Sequence, residues 1–189
     1  MPHRHRVAIL LGSPSLRSRT QALATALLDA VSEHVPVQAD WVELSRLGPQ
    51  FGSALSRDAL GTDARAALEA LETADLLIAA TPVYKGSYTG LFKHVVDLLN
   101  PDALVGRPVL LAASGGGERH ALVVEHQLRP LFGFFRAQTV PSAVYAAEAE
   151  LEGYAVSSPA LQARIAEAAG QAAALLVAQA ARQPAPVAA

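Results

Sequence analysis

Val7-Ala8-Ile9-Leu10-Leu11-Gly12-Ser13-Pro14 is the stretch that decides the fold. Five consecutive apolar residues halted by Gly-Ser-Pro describe a strand buried on both faces, because a half-exposed strand would alternate apolar with polar. The period then changes: Leu23, Ala24, Leu27, Leu28 and Val31 recur at helical spacing over residues 20–31. The result is a β-loop-α unit whose loop opens on a glycine.

The same grammar repeats outward. Residues 35–44 read as a second strand with Val37, Ala39 and Trp41 on one side, and residues 45–61, rich in Gly, Ser and Pro, read as a loop. A helix is predicted over 62–73, a buried strand over 76–80, a helix over 90–99, a strand over 108–113, a helix over 120–136 and a fifth strand over 138–144. An alanine-rich helix over 159–181 closes the chain, its alanine stripe fitting core packing. Residues 1–182 make one domain, and the Pro-Ala-Pro tail at 183–189 is expected to be disordered. Alternating buried strands and helices require a parallel sheet covered on both faces. Five strands suit the order 2-1-3-4-5, an α/β, flavodoxin-like three-layer sandwich. Ligands in such sheets bind beyond the carboxyl ends of the strands at the switch point, here between strands one and three. The loops at 12–20, 81–90 and 114–120 are therefore expected to form one site.

Composition narrows the function. The chain has 189 residues, 51% apolar and 17% charged, with 15 basic against 17 acidic side chains and no cysteine. A chain without thiols has no disulfide scaffold, no Cys-ligated metal and no thiolate nucleophile, so redox chemistry would need a bound cofactor. The near-neutral charge lacks the basic field that duplex nucleic acid demands and the acidity of small electron carriers. No apolar run approaches the roughly 20 residues of a membrane span, and the N-terminus does not read as a signal peptide, so cytoplasmic residence is expected. His3 and His5 are read as a solvated leader, with no metal site.

The first loop, Gly12 to Gln21, lies between a strand and a helix start, where backbone N–H groups and the helix dipole favour an anion. Ser13, Ser15, Ser18 and Thr20 with Arg17 and Arg19 supply donors for a terminal phosphate monoester. No Lys follows a glycine as in a Walker loop, and no G-x-G-x-x-G marks a dinucleotide turn. Ser18 and Thr20 also suit plain helix caps. The second loop, Thr81 to Gly90, combines Pro82, Gly86 and Gly90 with Tyr84 and Tyr88; it suits a flat heteroaromatic ring packed on Val83 or Tyr84, or else two tyrosines capping the core. The third, Ser114-Gly115-Gly116-Gly117-Glu118-Arg119-His120, keeps side chains away from a ligand edge or is a flexible turn, with His120 facing the ligand or capping the turn.

These motifs together resemble the NAD(P)H-dependent FMN reductases of the flavodoxin-like superfamily, most closely the branch serving two-component sulfonate monooxygenases. The residues that carry the resemblance are Gly12-Ser13-Pro14 with Ser18-Arg19-Thr20, Ala80 to Lys85 with Thr89-Gly90 and Lys93, Asp97-Leu98-Leu99, and Gly115-Gly116 with His120. The resemblance implies that Ser13, Ser18, Arg19, Thr20 and Gln21 hold the FMN phosphate. It implies that Pro82, Val83, Tyr84, Lys85 and Gly86 line the isoalloxazine and ribityl, with Ser114, Gly115, Gly116, Gly117 and His120 at the far edge. NADPH or NADH would be the hydride donor, and a flavin-dependent monooxygenase the recipient of reduced FMN. Gly117 departs from the branch, which commonly places a threonine there.

Along the fourth helix Ala121, Val124, Leu128, Leu131 and Phe135 mark the core face, and His126, roughly 200° from Val124, points away from it. Pro130 breaks regular helical bonding, for which a π-bulge is a usual accommodation. In the resembled branch a bulged tyrosine at this place packs across a tetramer interface near the flavin; here the residue is His126. Its alternative is a plain solvent-exposed histidine. The resemblance thus implies self-association as a homotetramer or dimer. Lys93 and Asp97, four apart, suit an intrahelical pair or an interface contact. Hydride transfer needs no protein acid or base, consistent with the lack of paired carboxylates or a nucleophile motif. Two rivals remain open at this point: a quinone or azo reductase with retained FMN, and a flavodoxin-type carrier.

Overall fold

The computed structural model describes residues 4–182; the expectations for His3 and for the tail at 183–189 lie outside them. The first strand, β1 (His5–Leu11), leads through the Gly12 loop into α1 (Arg19–Ser32) and then β2 (Val37–Glu43). Next come α2 (Leu44–Gly52), α3 (Thr62–Thr73), β3 (Leu76–Pro82), α4 (Gly90–Asp97) and β4 (Pro108–Gly115). A π-helical turn at Val124–Leu128 runs into α5 (Arg129–Phe134), followed by the short strands β5 (Gln138–Thr139) and β6 (Val144–Ala147). A small antiparallel hairpin, β7 (Leu151–Glu152) and β8 (Ala155–Val156), precedes the closing helix α6 (Pro159–Arg182).

The sheet is parallel, in the expected order β2-β1-β3-β4-β5, and its strands send alternate residues to two separate cores. Val7, Ile9 and Leu11 join Leu23, Leu27 and the Ala168–Ala169 and Ala172–Ala173 pairs beneath α1 and α6. Ala8 and Leu10 face the other way, toward Phe51, Leu68, Phe92, Val124 and Phe132. Burial on both faces is why β1 and β3 are continuously apolar, and the alanine stripe of α6 is core packing. His5 is buried in β1, so it is no solvated leader residue.

Two further expectations are corrected. The segment read as a loop over 45–61 holds α2: Leu44, Leu47 and Phe51 recur at helical spacing, and Leu44, Gly48 and Phe51 are buried. Pro49 lies inside this helix and denies a bond to the Ser45 carbonyl, a cost of order 3 kcal/mol in an isolated helix. Tertiary contacts offset it. A Cβ on Gly48 would come within 2.9 Å of Leu91, so the glycine admits α4, and His94 of α4 places Nε2 3.0 Å from the Phe51 carbonyl and 2.8 Å from that of Ala54.

The fifth strand is not continuous over 138–144. β5 pairs with Pro108–Val109 and β6 with Ala112–Gly115, both on the outer side of β4, and the chain leaves the ladder between them. Pro141 has no N–H to give a ladder. The Val140 and Pro141 carbonyls are instead taken by Arg129, whose Nη1 and Nη2 each donate at 3.0 Å.

Candidate active-site cleft

Three chain segments meet beyond the carboxyl ends of β1, β3 and β4, as the topology requires. Between them lies a cleft of about 410 Å³, within the roughly 300–1,000 Å³ of small-molecule sites. One end is the first loop. Ser13 is buried and its Oγ accepts from the Ser15 N–H at 3.2 Å, which folds the loop over the start of α1. Ser18 caps α1, its Oγ accepting from the Gln21 N–H at 3.1 Å. The first N–H groups of a 14-residue helix have no intrahelical acceptor and carry its positive dipole end, so this end of the cleft is built for an anion. Arg17 and Arg19 are exposed at the same rim.

Gly12 is required by packing. A Cβ there would approach Phe92 to 2.7 Å and Thr81 Oγ1 to 3.1 Å. Around it the buried hydroxyls form a brace: Thr89 Oγ1 donates to the Gly12 carbonyl at 2.9 Å and accepts from the Phe92 N–H as the cap of α4, while Thr81 Oγ1 accepts from the Thr89 N–H. Thr20 Oγ1 and Ser114 Oγ lie 2.7 Å apart, both buried, and tie the first loop to the third.

The middle of the cleft is Pro82, Val83 and the exposed Tyr84, which opens a two-residue turn. Tyr84 and Ser87 exchange both backbone hydrogen bonds, at 2.9 and 3.2 Å, with Lys85 at φ 55° and Gly86 at φ 85° between them. Positive φ at both central positions is the type I′ pattern, where glycine is at ease and lysine is strained. Tyr88 does cap the core, its ring centroid 5.9 Å from that of Phe92, whereas Tyr84 stays exposed at the cleft.

The far end is the third loop, and its three glycines differ in purpose. A Cβ on Gly115 would collide with the Tyr145 hydroxyl, whereas one on Gly116 would meet only the Glu148 carboxylate, at 4.0 Å, and one on Gly117 faces open space. Tyr145 donates to the Gly117 carbonyl at 2.6 Å and so holds the loop from beneath. Burial pushes this phenol above its usual pKa, and the Glu150 carboxylate adds to the rise, so it stays a donor at physiological pH. Ser87 Oγ donates to Gln127 at 3.1 Å, joining the type I′ turn to the π turn.

Of the residues singled out in the sequence, Ser13, Ser18, Arg19, Thr20, Pro82, Val83, Tyr84, Ser114, Gly115 and Gly116 line this one cleft. Gln21 faces a neighbouring groove along α1. Lys85, Gly86, Gly117 and His120 lie in the adjoining turns, outside the lining. His126 is exposed on the π turn, where the Arg129 N–H reaches back five residues to Val124. Lys93 and Asp97 form the intrahelical pair, at 2.5 Å.

Gly153 and Tyr154 also line the cleft, from the β7–β8 hairpin. Sequence reasoning missed both, and a Gly-Tyr between two short polar-flanked pairs was the only signal. Arg17 lies over the Tyr154 ring, 5.5 Å from its centroid, so the hairpin closes over the first loop.

The donor set fits a flavin mononucleotide. Hydroxyls and helix N–H groups suit a phosphate at one end; Tyr84 and the uncrowded Gly116–Gly117 backbone suit a flat ring edge at the other. Among the described residues no cluster of three or more His, Asp or Glu side chains could hold a metal, and no helix is long and apolar enough to cross a membrane.

Comparison with known proteins gives the family. The NADH-dependent FMN reductase SfnF of Pseudomonas fluorescens is 51% identical over 170 residues, which cover 90% of this chain and 91% of the relative. An FMN reductase (NADPH) of Pseudomonas aeruginosa is 46% identical over 170 residues, covering 90% and 91%. An oxidoreductase from Corynebacterium diphtheriae of known structure superposes with a TM-score of 0.86 at 36% identity, covering 93% of this chain and 98% of that one. The family described as NADPH-dependent FMN reductase matches residues 5–151, and the chain belongs to it.

Proposed function

We propose that this chain binds FMN in the cleft, phosphate on the α1 N-terminus and ring between Tyr84 and the glycine loop, and releases it reduced to a partner monooxygenase of sulfonate metabolism. The observation that carries the reading is the hydroxyl bond between Thr20 and Ser114, which joins an anion-binding helix start to a side-chain-free loop in one cleft. Bound FMN supplies acceptance of hydride from a nicotinamide. The protein supplies orientation: Ser13 and Ser18 with the helix N–H groups fix the phosphate, and the Tyr145-braced loop gives backbone at the ring edge. No side chain in the cleft is asked to act as acid or base, in keeping with a lining of hydroxyls, glycines and arginines.

The donor is NADH or NADPH. Assembly as a tetramer or dimer is part of the same reading: the π turn, with exposed His126 at its apex and Gln127 bonded to the flavin-side turn, offers a surface through which a second copy would bear on FMN release. The test is the rate of NADH and NADPH oxidation with and without added FMN after gel filtration. Oxidation that rises and saturates with FMN supports the proposal. Flavin retained through the column, with turnover only on a quinone or azo acceptor, overturns it.

A further inference from the structure

Arg19 opens α1, at the end of the helix where the dipole is positive and a cation is disfavoured, and no acidic residue of the first turn offsets it. Its Nη2 instead donates to Oε1 of Glu148 at 2.6 Å, across 129 residues of sequence. Glu148 begins the short 3₁₀ turn that follows β6, and that turn is itself held: Glu150 accepts from the Ala147 N–H at 3.0 Å and pairs with Arg164 at 2.5 Å. The second Glu148 oxygen lies beside the glycine loop, 4.0 Å from where a Cβ on Gly116 would stand. We propose that Glu148 is an affinity-setting residue: by engaging the Arg19 guanidinium it competes with the flavin phosphate and speeds release of the flavin. The proposal rests on the flavin reading of the cleft.

Three observations support this role. A cation in the first turn of a helix does nothing for that helix, so its place at the anion end of the cleft is explained by an anionic partner, and Arg19 does line the cleft. The two arginines of this rim are also treated differently. Arg17 lies on the Tyr154 ring, which is uncharged and leaves the guanidinium its full charge, whereas Glu148 cancels the charge of Arg19. Finally, both members of the Arg19–Glu148 pair are about half-exposed, so the pair is weak enough to open at each binding event. A phosphate monoester carries nearly two negative charges at neutral pH and takes an arginine bidentately. To gain Arg19 it must displace the carboxylate, and to bind without Arg19 it must tolerate the carboxylate at the same rim. Either course costs affinity, and the cost falls on the phosphate alone.

The test is a double-mutant cycle read with two ligands. FMN and riboflavin are titrated into the wild type, Glu148→Gln, Arg19→Gln and the double variant, with affinity read from flavin fluorescence and the FMN off-rate from stopped flow. Glu148→Gln is expected to tighten FMN about three- to ten-fold, mostly through a slower off-rate, and to leave riboflavin unchanged. In the Arg19→Gln background the same substitution should change FMN affinity much less, because the guanidinium that Glu148 competes for is gone. FMN affinity that Glu148→Gln leaves unchanged overturns the proposal. Weaker FMN binding in Glu148→Gln also overturns it and makes the carboxylate a group that orients Arg19 onto the phosphate. Riboflavin tightened as much as FMN, or an equal gain with and without Arg19, overturns it too, since the effect would then not pass through the phosphate or through Arg19. If the wild type binds neither flavin, the reading of the cleft itself fails and this proposal falls with it.

Discussion

Thr20 Oγ1 and Ser114 Oγ are 2.7 Å apart in the buried wall of the cleft, although 94 residues separate them in sequence. The pair fixes the distance between the start of α1 and the end of β4, which is the span between the two ends of the proposed flavin. Thr20→Val keeps the shape and leaves the Ser114 hydroxyl without its partner. Such a loss is expected to cost about 1–3 kcal/mol in a chemical denaturation curve. Replacing both, Thr20→Val with Ser114→Ala, should recover part of that loss, and a double variant no better than the sum of the singles would show that the hydroxyls do not act as a pair.

Gly115 is fixed by Tyr145. Gly115→Ala pushes a methyl into the tyrosine hydroxyl and is expected to cost about 1–3 kcal/mol, whereas Gly117→Ala, facing open space in extended backbone, should leave the melting temperature nearly unchanged. Adding Tyr145→Phe to Gly115→Ala removes the clashing oxygen and should restore stability. Equal effects of the two alanines would contradict the assignment of separate roles to these glycines.

Lys85 occupies the first central position of a type I′ turn at φ 55°, where asparagine is favoured. Lys85→Asn is expected to stabilise the fold by up to about 1 kcal/mol in thermal melts. If the lysine ammonium serves the phosphate-bearing ligands, KM for NADPH should rise in the same variant, and the two readouts together separate strain from use.

Glu125 and Arg129 clamp the π turn, with Glu125 Oε1 2.7 Å from the guanidinium and Arg129 also bonded to Thr139 at 2.9 Å. The hydrogen bond from Arg129 holds the Glu125 carboxyl below its ordinary value. A lowered folded value means that the pair stabilises above the ordinary carboxylate range, near pH 4.3, and that the contribution disappears as pH falls through the folded value. Glu125→Gln should therefore cost about 0.3–0.5 kcal/mol at pH 7, as for other exposed pairs, and progressively less as pH falls through the folded value. Arg129→Met goes further, because it also strips the Val140 and Pro141 carbonyls of their donor, and is expected to cost about 1–3 kcal/mol at any pH.

The sequence made legible what depends on local periodicity. Double-sided burial of β1, β3 and β4 shows in the sequence as unbroken apolar runs, which with the alternating helices implied a covered parallel sheet, and the count of five strands then suggested its order and the meeting of three loops. The residues it hid are those whose role depends on distant partners. Gly48 and Pro49 look like loop residues until Leu91 and His94 of α4 are placed against them. Pro141 looks tolerable in a strand until Arg129 is seen taking the carbonyls it leaves. Tyr145 sits in an apolar strand with no mark of its function, since its hydroxyl matters only because Gly115 and Gly117 lie above it. Tyr154 reaches the cleft through a hairpin too short to carry a periodic signal, and its place in the lining and against Arg17 shows only in the folded chain.

The central claim is that the cleft grips FMN by its phosphate at the start of α1. Equilibrium affinities for FMN and for riboflavin, which differ by that phosphate alone, test it most directly in the wild type and in Ser18→Ala. Charge-assisted hydrogen bonds contribute about 1.5–3 kcal/mol each, so FMN is expected to bind at least about 100-fold more tightly than riboflavin. Ser18→Ala should narrow that ratio while leaving riboflavin affinity little changed. Equal affinities for the two flavins, or a ratio that Ser18→Ala leaves untouched, would contradict the account.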